Sequence, residues 1–412
     1  MPISCQLKTA NGSEFCTDAC PVLDSAAALQ LVPVRRPEDV PAADPRIVDI
    51  ALLDMNHGWS NLGHDSLVHA VQDAVCDVLP ALDRSGLRVR VLSFDVRRSG
   101  VVPEPPPRFA LYVGTGGPGH LDPHRNDGVS PGSQGLVEDP SWEAPTFELF
   151  DAILQAPAAA LLSVCHSFGV MCRWSGAAEA VLRPGGKSAG IMENVLTPEA
   201  QRHPWFARFA EELPEHRRLR VVDHRLFDLV PLGRLAPEVN PGARASGAHA
   251  TPWLRPRTPD GRLAPKASPG RSAFLPIGHE ALGPGGPPGD ALTMMEFARD
   301  TGGVMPRVFG VNHHPEIVDR SRQRMILEQK KERGDVSEEW YLDRQRLLNQ
   351  YPDDSTDQRL HLTSDYTLLA PLRYFLYREL KQRAESLGIA FEGDLETVLA
   401  GGRRAEVGPA QL

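Results

Sequence analysis

The stretch Ala160-Leu-Leu-Ser-Val-Cys165-His-Ser-Phe-Gly169 decides the fold. An apolar run of strand length ends on a cysteine, and small, turn-tolerant residues follow at once. This is the pattern of a nucleophile elbow. The strand stops, the nucleophile takes a strained backbone conformation, and a helix starts behind it with its N–H groups facing the sulfur. Ser163 and Ser167 occupy the two flanking positions where glycine usually makes the sharp turn possible. A buried cysteine on a core strand would read similarly from this stretch alone, so the rest of the chain has to decide.

Working back towards the start, Arg46–Asp54 is a near-continuous apolar run suited to a strand buried on both faces. Residues 56–61 make a turn, and residues 65–79 carry Leu67, Val71, Val75 and Leu79 at helical spacing. Residues 87–94 and 109–113 read as further strands, the second leading into Gly114-Thr-Gly-Gly-Pro-Gly119. Strand, helix, strand, then a strand with a glycine loop is the opening of a doubly wound parallel sheet.

Gly114, Gly116 and Gly119 satisfy the spacing of a dinucleotide fingerprint, and Glu138 lies near the distance of a ribose-binding acid. Pro118 and the loop-like His120–Pro123 argue against that reading, because a true fingerprint opens a helix. The same exposed N–H groups suit an oxyanion formed beside a nucleophile. His120, Asp122 and His124 match no standard metal spacing, and no metal is expected.

Residues 146–156 read as a helix stopped by Pro157, and Gly169–Leu182 as the helix behind the elbow. Strands are expected at 188–195 and 218–222, with a helix at 204–213. From Gly233 to Gly289 the composition shifts to proline, glycine and arginine, which predicts a long insertion with one strand-like patch at 272–277. Val308-Phe-Gly-Val-Asn-His-His314-Pro-Glu316 then ends a buried strand in a histidine and a glutamate. A thiol needs a base, and a histidine base needs a carboxylate to fix its tautomer. His314 and Glu316, two apart on an extended chain, project to one side.

Composition sets the outer bounds. The 412 residues suffice for one large α/β domain with additions or for two domains. A net charge of −9 argues against nucleic acid or an anionic membrane as the main partner. Six cysteines are too sparse for a disulfide scaffold, and Cys16 and Cys20 lack a second pair at zinc-site spacing. No apolar run reaches membrane-spanning length and the start lacks a secretory pattern, so a cytoplasmic protein is expected. Residues 1–45 show no sustained periodicity and read as a surface extension. Residues 321–412 read as a charged helical extension, with Leu372, Phe375, Leu376 and Leu380 on a helix opened by Pro371.

At this point the chain resembles the class I glutamine amidotransferases, the triad-type glutaminase domains. Thr115-Gly-Gly-Pro-Gly119 looks like the family's oxyanion loop, Val164-Cys165 like its elbow, and Phe309–Glu316 like its histidine-glutamate segment. Weaker likenesses lie at Thr197–Phe209 and Val222–Asp228. The resemblance spans about residues 46–320 and implies a flavodoxin-like, doubly wound and mostly parallel sheet. It implies Cys165 as nucleophile, His314 as base and then acid, and Glu316 as its orienting partner. Gly116, Gly117 and His166 fall at the oxyanion hole, with the N–H groups of Gly117 and His166 as its donors. Gly169 stands where the family has a substrate-holding glutamine, so free glutamine is expected to bind weakly. No cofactor is implied. The substrate would be glutamine or a γ-glutamyl-like amide, and any ammonia acceptor would lie on a separate synthase-type protein. Two alternatives stay open: a cysteine hydrolase or acyltransferase retuned to another small amide or ester, and a non-catalytic binding protein on the same fold.

Overall fold

The computed structural model describes residues 5–8, 14–17, 29–213, 215, 217–231, 274–350, 358–396 and 399. Cys20, residues 233–273 of the expected insertion, and residues 400–412 of the helical extension lie outside them. The strands are β1 (Cys5–Lys8), β2 (Glu14–Thr17), β3 (Leu29–Val34), β4 (Ile47–Asp54), β5 (Arg88–Asp95), β6 (Leu111–Gly114) and β7 (Ala160–Val164). They continue with β8 (Ala178–Leu182), β9 (Gly190–Leu196), β10 (Arg218–Asp223), β11 (Phe227–Pro231), β12 (Leu275–Ala281), β13 (Pro288–Arg299) and β14 (Pro306–Val311).

Ten of them form one sheet in the order β10-β9-β12-β13-β14-β7-β6-β4-β5-β3. From β14 to β3 every pairing is parallel, and from β14 to β10 every pairing is antiparallel. The chain runs from β4 outward to β5 and then returns to the other side of β4 as β6. This reversal places a topological switch point at the carboxyl ends of β4 and β6, where such sheets hold ligands.

Both faces are covered because the strands alternate between two cores. Val48, Ile50 and Leu52 of β4 enter one apolar cluster, Ala51 and Leu53 the other. On the first face lie α1 (Leu62–Asp77) and residues of α4 (Phe206–Glu212) and α7 (Ala370–Ser386); on the second lie α2 (Glu143–Gln155) and α3 (His166–Ser175). Asn61 starts α1 by accepting a hydrogen bond from Gly63 N–H at 2.6 Å, the usual use of asparagine at a helix start. The helical C-terminal region contains α5 (Arg320–Glu332), α6 (Glu338–Gln350), a turn of helix at Gln358–Ser364, a π-helical turn at Asp365–Leu369 and α7 (Ala370–Ser386).

Three expectations are corrected. Leu29–Val34, inside the expected surface extension, is the parallel edge strand of the sheet, with Leu29, Leu31 and Val34 buried. Pro33 is tolerated there because one side of an edge strand makes no ladder bonds. The expected insertion ends earlier than residue 289, since β12 and β13 form a long hairpin turning at residues 282–287. β12 overlaps the strand-like patch expected at 272–277, whereas the glycine- and proline-rich turn masked the start of β13. The helix behind the elbow stops at Ser175, capped by left-handed Gly176, and residues 178–182 are a strand. The apolar stripe of the C-terminal region packs on the core as a helical cap would: Leu372, Phe375, Leu376 and Leu380 of α7 belong to the first-face cluster.

Candidate active site

The elbow forms as the sequence pattern demands. Cys165 sits at φ 51°, ψ −103°, between the last residue of β7 and the first of α3. Such a conformation costs a non-glycine residue about 1–3 kcal/mol and persists only where its surroundings enforce it. Three contacts enforce it here. Cys165 N–H donates to Val311 C=O on β14 at 2.7 Å, and Gly169 N–H donates to Cys165 C=O at 2.9 Å. The Ser167 hydroxyl turns back to both the N–H and the C=O of Val164 at 3.0 Å. Serine therefore replaces the usual glycine without loosening the turn. The room for it comes from Gly114, where a Cβ would lie 2.5 Å from Ser167 Oγ. Gly310 likewise leaves space for the Phe168 ring, 2.2 Å from where its Cβ would be.

The Cys165 thiol stands at the amino end of α3, whose dipole favours an anion. Cys172, about two turns on, is buried, and desolvation pushes its thiol far up. Only the first is placed for chemistry.

His314 arrives from the end of β14, beside β7. Its Nδ1 pairs with Glu316 Oε1 at 2.8 Å, and its ring hydrogen-bonds the Cys165 side chain. With Nδ1 engaged by the carboxylate, Nε2 is left for the sulfur. Burial disfavours the imidazolium, but the charges of Glu316 and Cys165 and the hydrogen bonds to both outweigh it. His314 is held well above the ordinary histidine range. Glu316 is itself buried, its Oε1 lying 2.8 Å from where a Cβ on Gly63 would stand, in the first turn of α1. Adjacent His313 faces away, is pushed down to about 3 by burial and the neighbouring His314 charge, and lies 3.5 Å from the Thr367 hydroxyl.

The glycine loop overhangs the same sulfur. A Cβ on Gly116 would lie 3.0 Å from His314 Cε1 and 3.5 Å from Cys165 Cβ. At Gly117 it would lie 2.1 Å from the Met55 carbonyl oxygen, so the loop presses against the end of β4. The loop is pinned from behind: Arg97 Nη1 donates to Met55 C=O at 2.8 Å and to Pro118 C=O at 2.7 Å. Glu138, the acid at fingerprint distance, holds that guanidinium through two bonds of 2.6 and 2.8 Å. Its role is structural. His166 is buried beneath the loop, hydrogen-bonded to the Gly117 backbone. Burial first, then the charges of Arg97 and His120, push it well below the ordinary range.

The geometry thus gathers Cys165, His314, Glu316, Gly116, Gly117 and His166 at one point. Gly169 is the exception. It does not line the cavity; a Cβ there would lie 2.4 Å from Leu121 Cδ1, and the Leu121 side chain faces the cavity in its place. His120 packs edge-on against Phe227 and is pushed down to about 4, chiefly by burial. Among the described residues no cluster of metal-ligating side chains occurs, and no helix is long and apolar enough to cross a membrane.

The cavity over the sulfur, ≈ 270 Å³, is built partly from residues the motifs did not mark. His224, between β10 and β11, stands edge-on to His314 with ring centres 6.4 Å apart. Burial and the nearby Lys187, His314 and Arg344 charges push it down to about 3, so it stays neutral. Lys187, Asn312 and the α6 residues Trp340 and Arg344 also face this space. The weak Val222–Asp228 likeness pointed towards His224; nothing local in the sequence marked Lys187 or α6.

Solved structures similar to this chain include glutamine amidotransferases and a glutaminase domain. A glutamine amidotransferase from Thermotoga maritima is 12% identical, covering 81% of this chain and 98% of its own, with a TM-score of 0.41. A glutamine amidotransferase from Methylobacillus flagellatus is 12% identical over 84% of this chain and 98% of its own, with a TM-score of 0.36. The glutaminase domain of Trypanosoma brucei CTPS, with bound acivicin, is 8% identical over 69% and 94%, with a TM-score of 0.34. No protein-family model matches the sequence, and neither does any curated protein.

Proposed function

We propose that the protein is a cysteine amidohydrolase of glutamine amidotransferase type, acting on the amide of glutamine or a γ-glutamyl-like compound. The observation that carries this reading is the Cys165–His314–Glu316 constellation, a thiol at a helix start hydrogen-bonded to an imidazole whose other nitrogen meets a buried carboxylate.

The chemistry follows from these positions. Cys165 sulfur attacks the amide carbonyl carbon, and the negative charge that develops on oxygen is met by the N–H groups of Gly117 and His166. His314, holding the thiol proton, gives it to the departing nitrogen, which leaves as ammonia or an amine. The thioester remains. A water then loses its proton to His314 and attacks the thioester carbon; the carboxylic acid departs and the proton returns to sulfur. Glu316 holds the imidazole in the required tautomer throughout. An ammonia acceptor would lie on a partner protein.

Leu121 occupies the space beside Gly169, so free glutamine without a partner is expected to be a poor substrate. Ammonia and glutamate release from glutamine, compared with Cys165→Ala, tests this. Release that does not depend on Cys165 refutes the amidase reading. Cys165-dependent turnover near the enzyme median of about 10 s⁻¹ refutes only the poor-substrate expectation.

A further inference from the structure

The roof of the cavity comes from outside the doubly wound core. On α6, Trp340, Arg344, Leu347 and Leu348 recur at helical spacing on one side and line the space above Cys165. The same helix is fastened to α5: Tyr341 hydroxyl donates to Glu328 at 2.5 Å, and Lys331 pairs with Glu338 at 3.1 Å while lying 4.0 Å from the Tyr341 ring centre. Lys330 of α5 is anchored to Asp65 of α1 at 2.6 Å. The apolar stripe of α6 is therefore held over the thiol by these polar contacts.

Four cationic side chains line this space: Lys187, Arg225, Arg320 and Arg344. Arg225 is paired with Glu280 at 2.6 Å and with Asp223 at 3.3 Å. Lys187 and Arg344 differ. Among the described residues Lys187 has no ion pair, and Arg344 meets only Asp343, its neighbour on the helix, at 3.9 Å. The Arg344 guanidinium lies 5.4 Å from the Trp340 ring centre, and its Nε is buried without a hydrogen-bond partner. Partial desolvation and the Arg344 charge hold the Lys187 ammonium below its ordinary range, while Cys165 acts in the opposite sense. Asp343 is the one carboxylate paired with either cation among the described residues, and two like charges facing one cavity with so little to offset them favour an anion arriving between them. The leucines beside them would have little to bury against a molecule as small and polar as glutamine.

We propose that the site takes a carboxylate-bearing amide with a bulky apolar or aromatic substituent, its anion between Lys187 and Arg344 and its apolar part against Leu347 and Leu348. This rests on the amidase reading and narrows its substrate. The reactive carbonyl is delivered to Cys165, and the hydrolysis is as written above.

Protection of Cys165 from iodoacetamide in the full-length protein, read by mass spectrometry, tests the proposal without requiring turnover. The probes are N-phenylacetyl-glutamine, its methyl ester and glutamine. The acid should protect at concentrations about tenfold lower than either the ester, which lacks the anion, or glutamine, which lacks the apolar body. Arg344→Gln should erase the advantage over the ester, and Leu347→Asp the advantage over glutamine. Equal protection by acid and ester, or an advantage that survives Arg344→Gln, overturns the proposal and leaves the amidase reading standing. A Cys165 no more reactive than Cys76 in the unliganded protein overturns both.

Discussion

Replacing Glu316 by glutamine probes the element on which the proposed chemistry depends. The side chain keeps its size and an oxygen facing His314 Nδ1, but the charge beside the imidazolium is gone. A hydrogen bond to a charged partner is worth about 1.5–3 kcal/mol. At about 1.36 kcal/mol per pH unit, His314 should then lose its proton about 1–2 units lower than in the wild type. Burial, which opposes the imidazolium, remains, and of the groups that favour it Cys165 keeps its contribution while the Glu316 charge is lost. The sign of the stability effect follows. A histidine raised on folding contributes stability fully present below about pH 6.5, its ordinary value, and lost as pH rises through the folded value. In Glu316→Gln that loss should come at lower pH. The assay is a titration of the His314 ring resonances by NMR, assigned by their disappearance in His314→Asn. Iodoacetamide alkylation of Cys165 at pH 7 gives a second readout and should slow about tenfold or more. An unchanged His314 titration would refute the claim that Glu316 sets the protonation state of the base.

Gly116→Ala and Gly117→Ala should separate catalysis from folding. At 116 the new methyl meets His314 and Cys165 themselves, so alkylation should slow about tenfold or more with little change in urea midpoint. At 117 it meets the immovable Met55 carbonyl, so stability should fall by about 1–3 kcal/mol. Asp65→Asn strands the buried Lys330 ammonium and should cost about 3–5 kcal/mol, with faster hydrogen exchange in α5 and α6. In the wild type His64 and Lys330 outweigh burial and hold Asp65 well below the usual carboxylate range. Its contribution is therefore present above about pH 3.9 and lost as pH falls through the lowered value, which denaturation at stepped acid pH measures.

The sequence by itself determined what local pattern can carry. An apolar run of strand length ending in Cys165 permits one economical continuation, a strained turn into a helix, and the small residues on either side make that turn sterically possible. The spacing of His314 and Glu316 put both on one side of an extended segment before any fold was known. Positions such as Leu29–Val34 and β13 were not legible. One carries a proline and the other follows a glycine-rich turn, and their strand state is set by hydrogen bonds to β5 and β14 rather than by their own preference. Tertiary structure alone decided the substrate space. Leu121 rather than Gly169 meets the cavity because of where the loop after β6 packs, and Lys187, His224 and Arg344 converge from segments up to 157 residues apart in the chain. Charges from such separated segments leave no periodic trace. Their meeting depends on how β10 and α6 come to rest around the switch point of the sheet.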